Sequence, residues 1–519
     1  MAFSCCDRQR LPSSWFVMLR VSCRTNNSRM RLYIQLLAIS QLVLLFSAPV
    51  FAAQLSFKPS LELRETYTDN VGLTDSGEDE LITEINPGIA VQADGNRLNA
   101  NLGFTLQNIF YAKDSGRNDR FHDLAADASA ELVKDFAFLN LRASDSQRVT
   151  SPTEGGGALD NLNTVDRTAV SAWMINPYFE KRFGRSASGS ASYSFEARSD
   201  GQGASDAEIE AIKIGLESGP SFRRMTWSLG YSSKSNKREA ANNYSRESST
   251  LRTRYKINRK FGVLFRAGIE RNDLSTSQNR GFQNGSYYAA GVSIIPHSTL
   301  RVDLLSGDRL DFASVTWVPS LRSALYVSRQ YKSVGLNPGE VWKGNLRLVS
   351  RRMSWLASYM EDDTSAQELQ SLGENTSGGS SPSAIPPTDG LFRLKHGKIS
   401  WAYKTAKSLI SVAMSRERRE PHDNTKATQK SNSGDISWRW HFAVRTTMLL
   451  RFEGLNSDYP VAASGRGGGE RRSVGITFFR KMKPGMEGSV MARNTSWNGL
   501  EGGSSYDENR LRVGLKWSF

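Results

Sequence analysis

The stretch Arg510-Leu511-Arg512-Val513-Gly514-Leu515-Lys516-Trp517-Ser518-Phe519 decides the fold class. Leu511, Val513, Leu515, Trp517 and Phe519 share one side of an extended chain. Arg510, Arg512, Gly514, Lys516 and Ser518 share the other. A period of two marks a strand with one apolar and one polar face. The edge strand of a soluble sandwich has the same period. A transmembrane barrel strand turns its apolar face to lipid and its polar face to an interior, and this length suits one crossing.

The alternation recurs upstream, which favours the barrel. Leu251, Thr253, Tyr255 and Ile257 interleave with Arg252, Arg254 and Lys256. Leu300, Val302 and Leu304 interleave with Arg301 and Asp303, and Phe392 and Leu394 with Arg393 and Lys395. Ile436, Trp438 and Trp440 interleave with Ser437, Arg439 and His441. A lipid-facing Arg at the bilayer midplane costs about 2–4 kcal/mol. Arg252, Arg254, Lys256, Arg301, Arg393, Lys395, Arg439, Arg510, Arg512 and Lys516 are therefore assigned to the lumen. Fixed cations there either favour anionic solutes or pair with lumen carboxylates. Trp227, Tyr231, Trp317, Trp342, Trp355, Tyr359, Trp401, Tyr403, Trp497 and Trp517 fall near strand ends, where interface girdles hold aromatics.

Connections alternate between tight and long. Asp94-Gly95-Asn96, Lys134-Asp135, Phe183-Gly184-Arg185, Pro319-Ser320 and Phe442-Ala443 read as tight turns. Between such turns lie polar loops such as 69–80, 147–163 and 362–389. This is the rhythm of periplasmic turns and outer loops. It predicts an all-β, transmembrane, antiparallel, up-and-down β-barrel of about 24 strands, within roughly 20–26, with both termini periplasmic. No plug domain is expected, because the first strand starts close to Ala53 and no compact domain interrupts the later ones. The Ser/Gly/Pro-rich stretch Ser371–Gly390 reads as an outer loop, mobile or folded into the pore.

The chain has 519 residues, 67 Lys+Arg against 52 Asp+Glu, and a formal charge of +15. With 39% hydrophobic and 10% aromatic residues it is not a disordered polycation. No nucleic-acid partner is expected. Met30-Arg31, the apolar run to Phe46 and the small residue Ala52 read as a signal segment, so residues 1–52 form an N-terminal extension and residues 53–519 the barrel. Either the n-region is long or translation starts at Met30, and the second reading is preferred. All three cysteines, Cys5, Cys6 and Cys23, precede Met30, which excludes a disulfide framework or Cys nucleophile from 53–519.

No HxH, HExxH, GxSxG or P-loop pattern occurs, so the sequence points to no catalytic, cofactor or metal site and to a non-enzyme. Glu361-Asp362-Asp363 is short of calcium-ligand spacing, and Gly465-Arg466-Gly467-Gly468-Gly469 lies between strands rather than before a helix.

Glu65-Thr66-Tyr67-Thr68-Asp69-Asn70-Val71, Ile82 to Ile89, Val315 to Ser320, and Trp355 through Tyr359 to Asp363 resemble the PEP-CTERM-system-associated outer-membrane β-barrels, which are close to barrels of exopolysaccharide loci. The resemblance implies an outer-membrane location and a genetic association with exosortase and exopolysaccharide genes. It carries no catalytic residues. The ending Trp517-Ser518-Phe519 resembles the signal that the barrel-assembly machinery reads. The expected role is a conduit or surface-assembly component for an anionic exopolysaccharide. The alternatives are a diffusion porin, general or anion-selective, and a structural or adhesive surface barrel. Expected partners are outer-membrane lipid, lipopolysaccharide, the assembly machinery and an anionic polysaccharide.

Overall fold

The computed structural model describes residues 53–149, 167–199, 206–238, 243–274, 283–335, 338–365, 391–421, 427–461, 465–500 and 505–519. The signal segment, the three cysteines and the stretch Ser371–Gly390 lie outside them. The described residues form one 24-stranded antiparallel sheet. It opens with β1 (Gln54–Thr68), β2 (Glu80–Asp94), β3 (Leu98–Tyr111), β4 (Asp119–Val133) and β5 (Ala137–Val149), and each strand pairs with the next. The last strand, β24 (Ser505–Ser518), pairs back with β1 from Ser60↔Ser518 to Thr68↔Arg510, and this ladder closes the ring.

One parity runs around the whole circuit. Leu63 stands opposite Leu515 and Ile85. The same side carries Val490, Phe478, Phe452 and Ile436, all well exposed, as the outer face. The opposite side carries the buried Thr66, Thr68, Glu84 and Arg510. Apolar residues thus point out and polar ones in, which suits a wall between lipid and a hydrated interior.

The strands are taller than a bilayer needs. Fifteen residues, as in β1, at about 3.4 Å each and a tilt of about 40° rise about 39 Å, against an apolar band about 25 Å tall. Near the short turns the outer face ends in aromatics. Trp355–Trp401, Trp438–Trp440, Trp440–Phe442 and Phe442–Phe478 have ring centroids 5.4–6.4 Å apart. Near the long loops it ends in polar rows such as Glu65–Thr83 and His122–Asp145–Ser171.

Three expectations are corrected in detail. The turns placed at Pro319-Ser320 and Phe442-Ala443 lie two residues later, at Leu321-Arg322 and Val444-Arg445, because Ser320 and Ala443 still pair with Ser323 and Thr446. Trp497 is not in a girdle. It points inward, 2% exposed, against Leu73 and Tyr506.

That inward packing explains the stretch Glu65–Val71. After β1 the chain bends over the lumen side of its own seam. Thr68 Oγ1 donates to Glu508 Oε1 at 2.8 Å, and Asp69 N donates to Asn509 O at 3.2 Å. Asn70 Nδ2 donates to Thr74 O and to Asp507 O, and Asn70 Oδ1 accepts from Thr74 N. Val71 packs on Ile82, Ile109, Tyr111 and Phe121. Asn70→Ala removes two hydrogen bonds within this loop and one to β24, and should cost about 1–3 kcal/mol, read from urea unfolding of the barrel in vesicles. A variant as stable as the parent would detach this loop from the seam.

Candidate functional site: the charged inner wall

The inner face divides by charge. The middle of the ring consists of β10 (Tyr244–Lys256), β11 (Phe261–Leu274), β12 (Gly285–His297), β13 (Leu300–Asp308), β14 (Leu310–Ser320), β15 (Ser323–Lys332) and β16 (Gly339–Val349). By register, Arg246, Arg252, Arg254, Lys256, Arg266, Arg301, Lys332, Lys343 and Arg347 point inward there. The only inward carboxylates on these strands, among the described residues, are Glu270 and Asp303. On β2–β4 the inward charges are Glu80, Glu84, Asp94, Asp119, Asp123, Asp127 and Glu131, with no inward cation on those strands among the described residues. β4 and β16 stand half the 24-strand ring apart.

The basic wall is partly braced from within. Arg254 Nη2 donates to Asp303 Oδ2 at 2.8 Å, reaching from β10 to β13 over Gly262 and Gly291. Ser293 Oγ holds the other oxygen of Asp303. Arg266 Nη1 donates to Gln330 Oε1 at 3.0 Å, with its guanidinium 5.9 Å from the Phe312 ring centroid. Lys332 Nζ donates to Glu270 and lies over the Tyr287 ring. Tyr287, Ala289, Leu310 and Val334 close an apolar patch beside them, and the bridge Gln283↔Gly335 ties two loops across it.

Arg252 and Lys343 make no ion pair among the described residues, and both line a recess of about 830 Å³ whose other charged lining is Arg246, Arg254, Arg266 and Lys332 with Glu217, Glu270, Asp303 and Glu361-Asp362-Asp363. An open recess with unpaired cations binds anions weakly and reversibly, which is what passage requires.

Of the residues assigned to the lumen from sequence, Arg252, Arg254, Lys256, Arg301, Arg439, Arg510, Arg512 and Lys516 point inward. The structure does not bring them into one site. Arg510 is buried against Glu508, and Arg512 donates to Thr66 Oγ1, so both brace the seam. Arg393 and Lys395 are corrected: they share the outer face with Ile399 and Trp401. Toward the long-loop end of the strand an outward cation meets carboxylates rather than lipid. Arg393 pairs with Asp363 and Lys395 with Glu420. Trp517 lies outward against Leu61 and Met486, and Phe519 N donates to Pro59 O at 2.9 Å. Sequence reasoning missed Arg266, Lys332 and Lys343. The alternation of Leu264, Arg266, Gly268 and Glu270 was available, but its apolar inward Leu264 hides the period.

Beside the basic wall one ladder is short. β16 and β17 (Met353–Ser365) pair only from Lys343↔Met360 to Val349↔Ser354. Above that, Glu361 fills the split: Trp342 N donates to Glu361 Oε2 at 3.0 Å, and Tyr359 Oη donates to Oε1 at 2.6 Å. Arg393 Nη1 donates to Glu340 O. The carboxylates of Glu361-Asp362-Asp363 are thereby separated, two on the outer face and Asp362 on the inner.

No protein-family model matches the chain, and no curated protein matches it. Among solved structures it is similar to the FrpB iron transporter of Neisseria meningitidis in its apoprotein form, with TM-score 0.47 and 8% identity over 89% of this chain and 81% of that one. It is also similar to the siderophore receptor PirA of Acinetobacter baumannii, with TM-score 0.43 and 8% identity over 89% and 80%. OccK5 of Pseudomonas aeruginosa matches with TM-score 0.32 and 12% identity over 89% and 98%.

The chain's own geometry is that of an integral outer-membrane β-barrel: a closed antiparallel ring, apolar outside and charged inside. The expectation of a barrel without a plug domain is corrected. The matches include a siderophore receptor and an iron transporter, and outer-membrane transporter barrels of 22 strands have a plugged lumen. The fold class is the closed, 24-stranded, antiparallel all-β barrel alone.

The split between β16 and β17 gives a prediction. Glu361→Ala leaves the Trp342 N–H without its acceptor, at a cost of about 1–3 kcal/mol. Amide exchange should accelerate at 339–342 by about tenfold or more and stay unchanged at 344–348, read by mass spectrometry. Equal exchange in both variants would show that Glu361 does not hold the split.

Proposed function

We propose that this barrel is a non-enzymatic outer-membrane conduit for an anionic polymer, in the first place an exopolysaccharide, as the resemblance to PEP-CTERM-associated barrels implies. The observation that supports it is the basic wall of β10–β16, where Arg252 and Lys343 face a recess without ion partners among the described residues. A cationic lining lowers the barrier for a polyanion, and many weak contacts let it move on. The partners in this reading are the assembly machinery, lipopolysaccharide and the anionic polysaccharide.

A second reading, a diffusion pore for small solutes, has its own support in the acidic wall of β2–β4. Opposite charges across a lumen set up a transverse field, which orients small dipolar solutes.

Planar-bilayer recording separates these readings. The parent should conduct with anion preference. Arg252→Glu with Lys343→Glu should lower that preference, and Asp123→Asn with Asp127→Asn should raise it, both read as shifts of reversal potential in a salt gradient. Anionic oligosaccharides should reduce the current more as they lengthen; block independent of length favours the small-solute pore. A barrel that never conducts would end both readings and leave a structural surface role.

Sidedness follows from the connections. In this reading the short turns and both termini are periplasmic and the long loops are outside. A cysteine at Ser115, in the β3–β4 loop, should react with an impermeant maleimide on intact cells. One at Ser221, in a turn-side connection, should react only after lysis. The reverse pattern would invert the topology.

A further inference from the structure

The inner wall turns a corner at β12 and β13. Arg266 on β11 donates to Gln330 on β15, and Lys332 on β15 donates to Glu270 on β11. Four strand spacings of a flat sheet span about 19 Å, too far for these side chains to meet, so the sheet curls inward between them. Inward glycines permit the curl. A Cβ on Gly291 would strike Leu304 O, and one on Gly307 would strike Tyr288 O. The recess of about 830 Å³ lies in this corner. Every strand from β8 (Ala207–Ser218) and β9 (Met225–Arg238) round to β17 contributes to its lining. A volume of this size suits one small ligand, or one short segment of a single chain.

The charges in the corner nearly balance. Glu270 pairs with Arg246 and Lys332, Asp303 with Arg254, and Asp363 with Arg393. Glu361 accepts from Trp342 N and Tyr359 Oη. Arg252, Arg266 and Lys343 make no ion pair among the described residues, and neither do Glu217 and Asp362, which line the same recess. By register all five point inward. Three cations thus face two carboxylates, among the neutral groups of Thr226, Ser228, Ser248, Thr250, Ser328 and Gln330. A chain charged at every unit gains little from such a lining, because Glu217 and Asp362 repel it. A saccharide gains from all of it. Ionised carboxylates only accept hydrogen bonds, and sugar hydroxyls donate to them. An occasional carboxylate on the sugar meets a guanidinium or ammonium group.

We infer that the corner binds a single extended saccharide chain with sparse carboxylate groups. Glu217 and Asp362 accept its hydroxyls, and Arg252, Arg266 and Lys343 hold its carboxylates. The inference rests on the conduit reading above and narrows it in two ways. The polymer is a sparsely charged saccharide rather than a dense polyanion, and it lies in the corner rather than against the acidic wall.

The test is equilibrium dialysis of labelled ligands against the full-length barrel in detergent micelles, with heat-modifiable migration as the check of folding. The probes are a hexasaccharide with one uronate, its carboxyl-reduced neutral form, and linear hexaphosphate. The parent should bind the uronate form more tightly than the neutral one, and Arg252→Gln with Lys343→Gln should bring the two to equal affinity. Glu217→Ala with Asp362→Ala decides the ligand class by sign. Both changes make the recess more positive, so charge alone would tighten the binding of every anion. The lost hydroxyl acceptors should instead weaken both saccharides by about tenfold or more, while hexaphosphate tightens. Thr250→Trp, which fills the corner and keeps every charge, should weaken the saccharides too, and Ser129→Trp on the acidic wall should not; should Thr250→Trp fail to fold, Ser228→Trp takes its place. Tighter uronate binding without Glu217 and Asp362 would overturn the inference. So would equal binding of the two saccharides by the parent, or undiminished binding with the corner filled. The measurement needs no current. A barrel that binds as expected but never conducts ends the conduit reading and keeps the site, and one that conducts without binding ends the site alone.

Discussion

The ladder between β1 and β24 is the constraint on which the rest of this structure depends. A sheet with open edges would present unpaired N–H and C=O groups to hydrocarbon, at several kcal/mol each. Closure removes them but imposes parity. Side chains alternate with period two, so a one-residue slip in any ladder would turn every later strand inside out. Leu63 could then no longer meet Leu515 at the seam. The register shifts that do occur lie between Glu131 and Val133, Ile294 and His297, Trp317 and Ser320, Trp440 and Ala443, and Lys481 and Lys483. All are at the turn ends, below the apolar band, where an unpaired backbone group reaches water.

Once parity is fixed, the inner face is free to carry charge, and the sequence spends that freedom unevenly. Had cations and carboxylates alternated around the ring, they would neutralise one another pairwise and only stiffen the wall. The carboxylates of β2–β4 and the cations of β10–β16 are instead too far apart to pair. Local braces such as Arg254–Asp303 use the few acids available on the basic side, and Arg252 and Lys343 are left over. Segregation of this kind weakens the fold slightly and creates a field across the lumen, which is a property of function rather than of stability.

Much of this is legible in the alternation of the sequence. The interleaving of Leu251, Thr253 and Tyr255 with Arg252, Arg254 and Lys256 gives both the strand and its inward face, since inside the apolar band only one orientation is affordable. The same rule failed at Arg393 and Lys395. Periodicity reports which residues share a face, not which face it is; lipid supplies that second fact only over the height it covers. Phe392 and Leu394 are apolar and point inward, buried beneath Arg419, because the strand there stands clear of the bilayer. Trp497 misled for the same reason: an aromatic near a strand end joins the girdle only if its parity is outward. The division of the lumen into two walls was not legible, because it depends on which strands face each other across the ring.

The split between β16 and β17 follows from the same boundary. Within the apolar band, residues 343–349 pair fully with 354–360, as a wall in lipid must. Beyond it the ladder stops, and a carboxylate takes over the role of a backbone carbonyl: Glu361 accepts from Trp342 N, where a continuing strand would have done so. A buried carboxylate in place of a peptide group is a poor exchange in hydrocarbon, because its charge would be uncompensated. It is tolerable here because Tyr359 donates to the other oxygen. On the other side of β17 the ladder to β18 (Leu391–Lys404) runs on to Ser365↔Leu391, so the exchange of a peptide carbonyl for a carboxylate is local to Trp342 and Glu361.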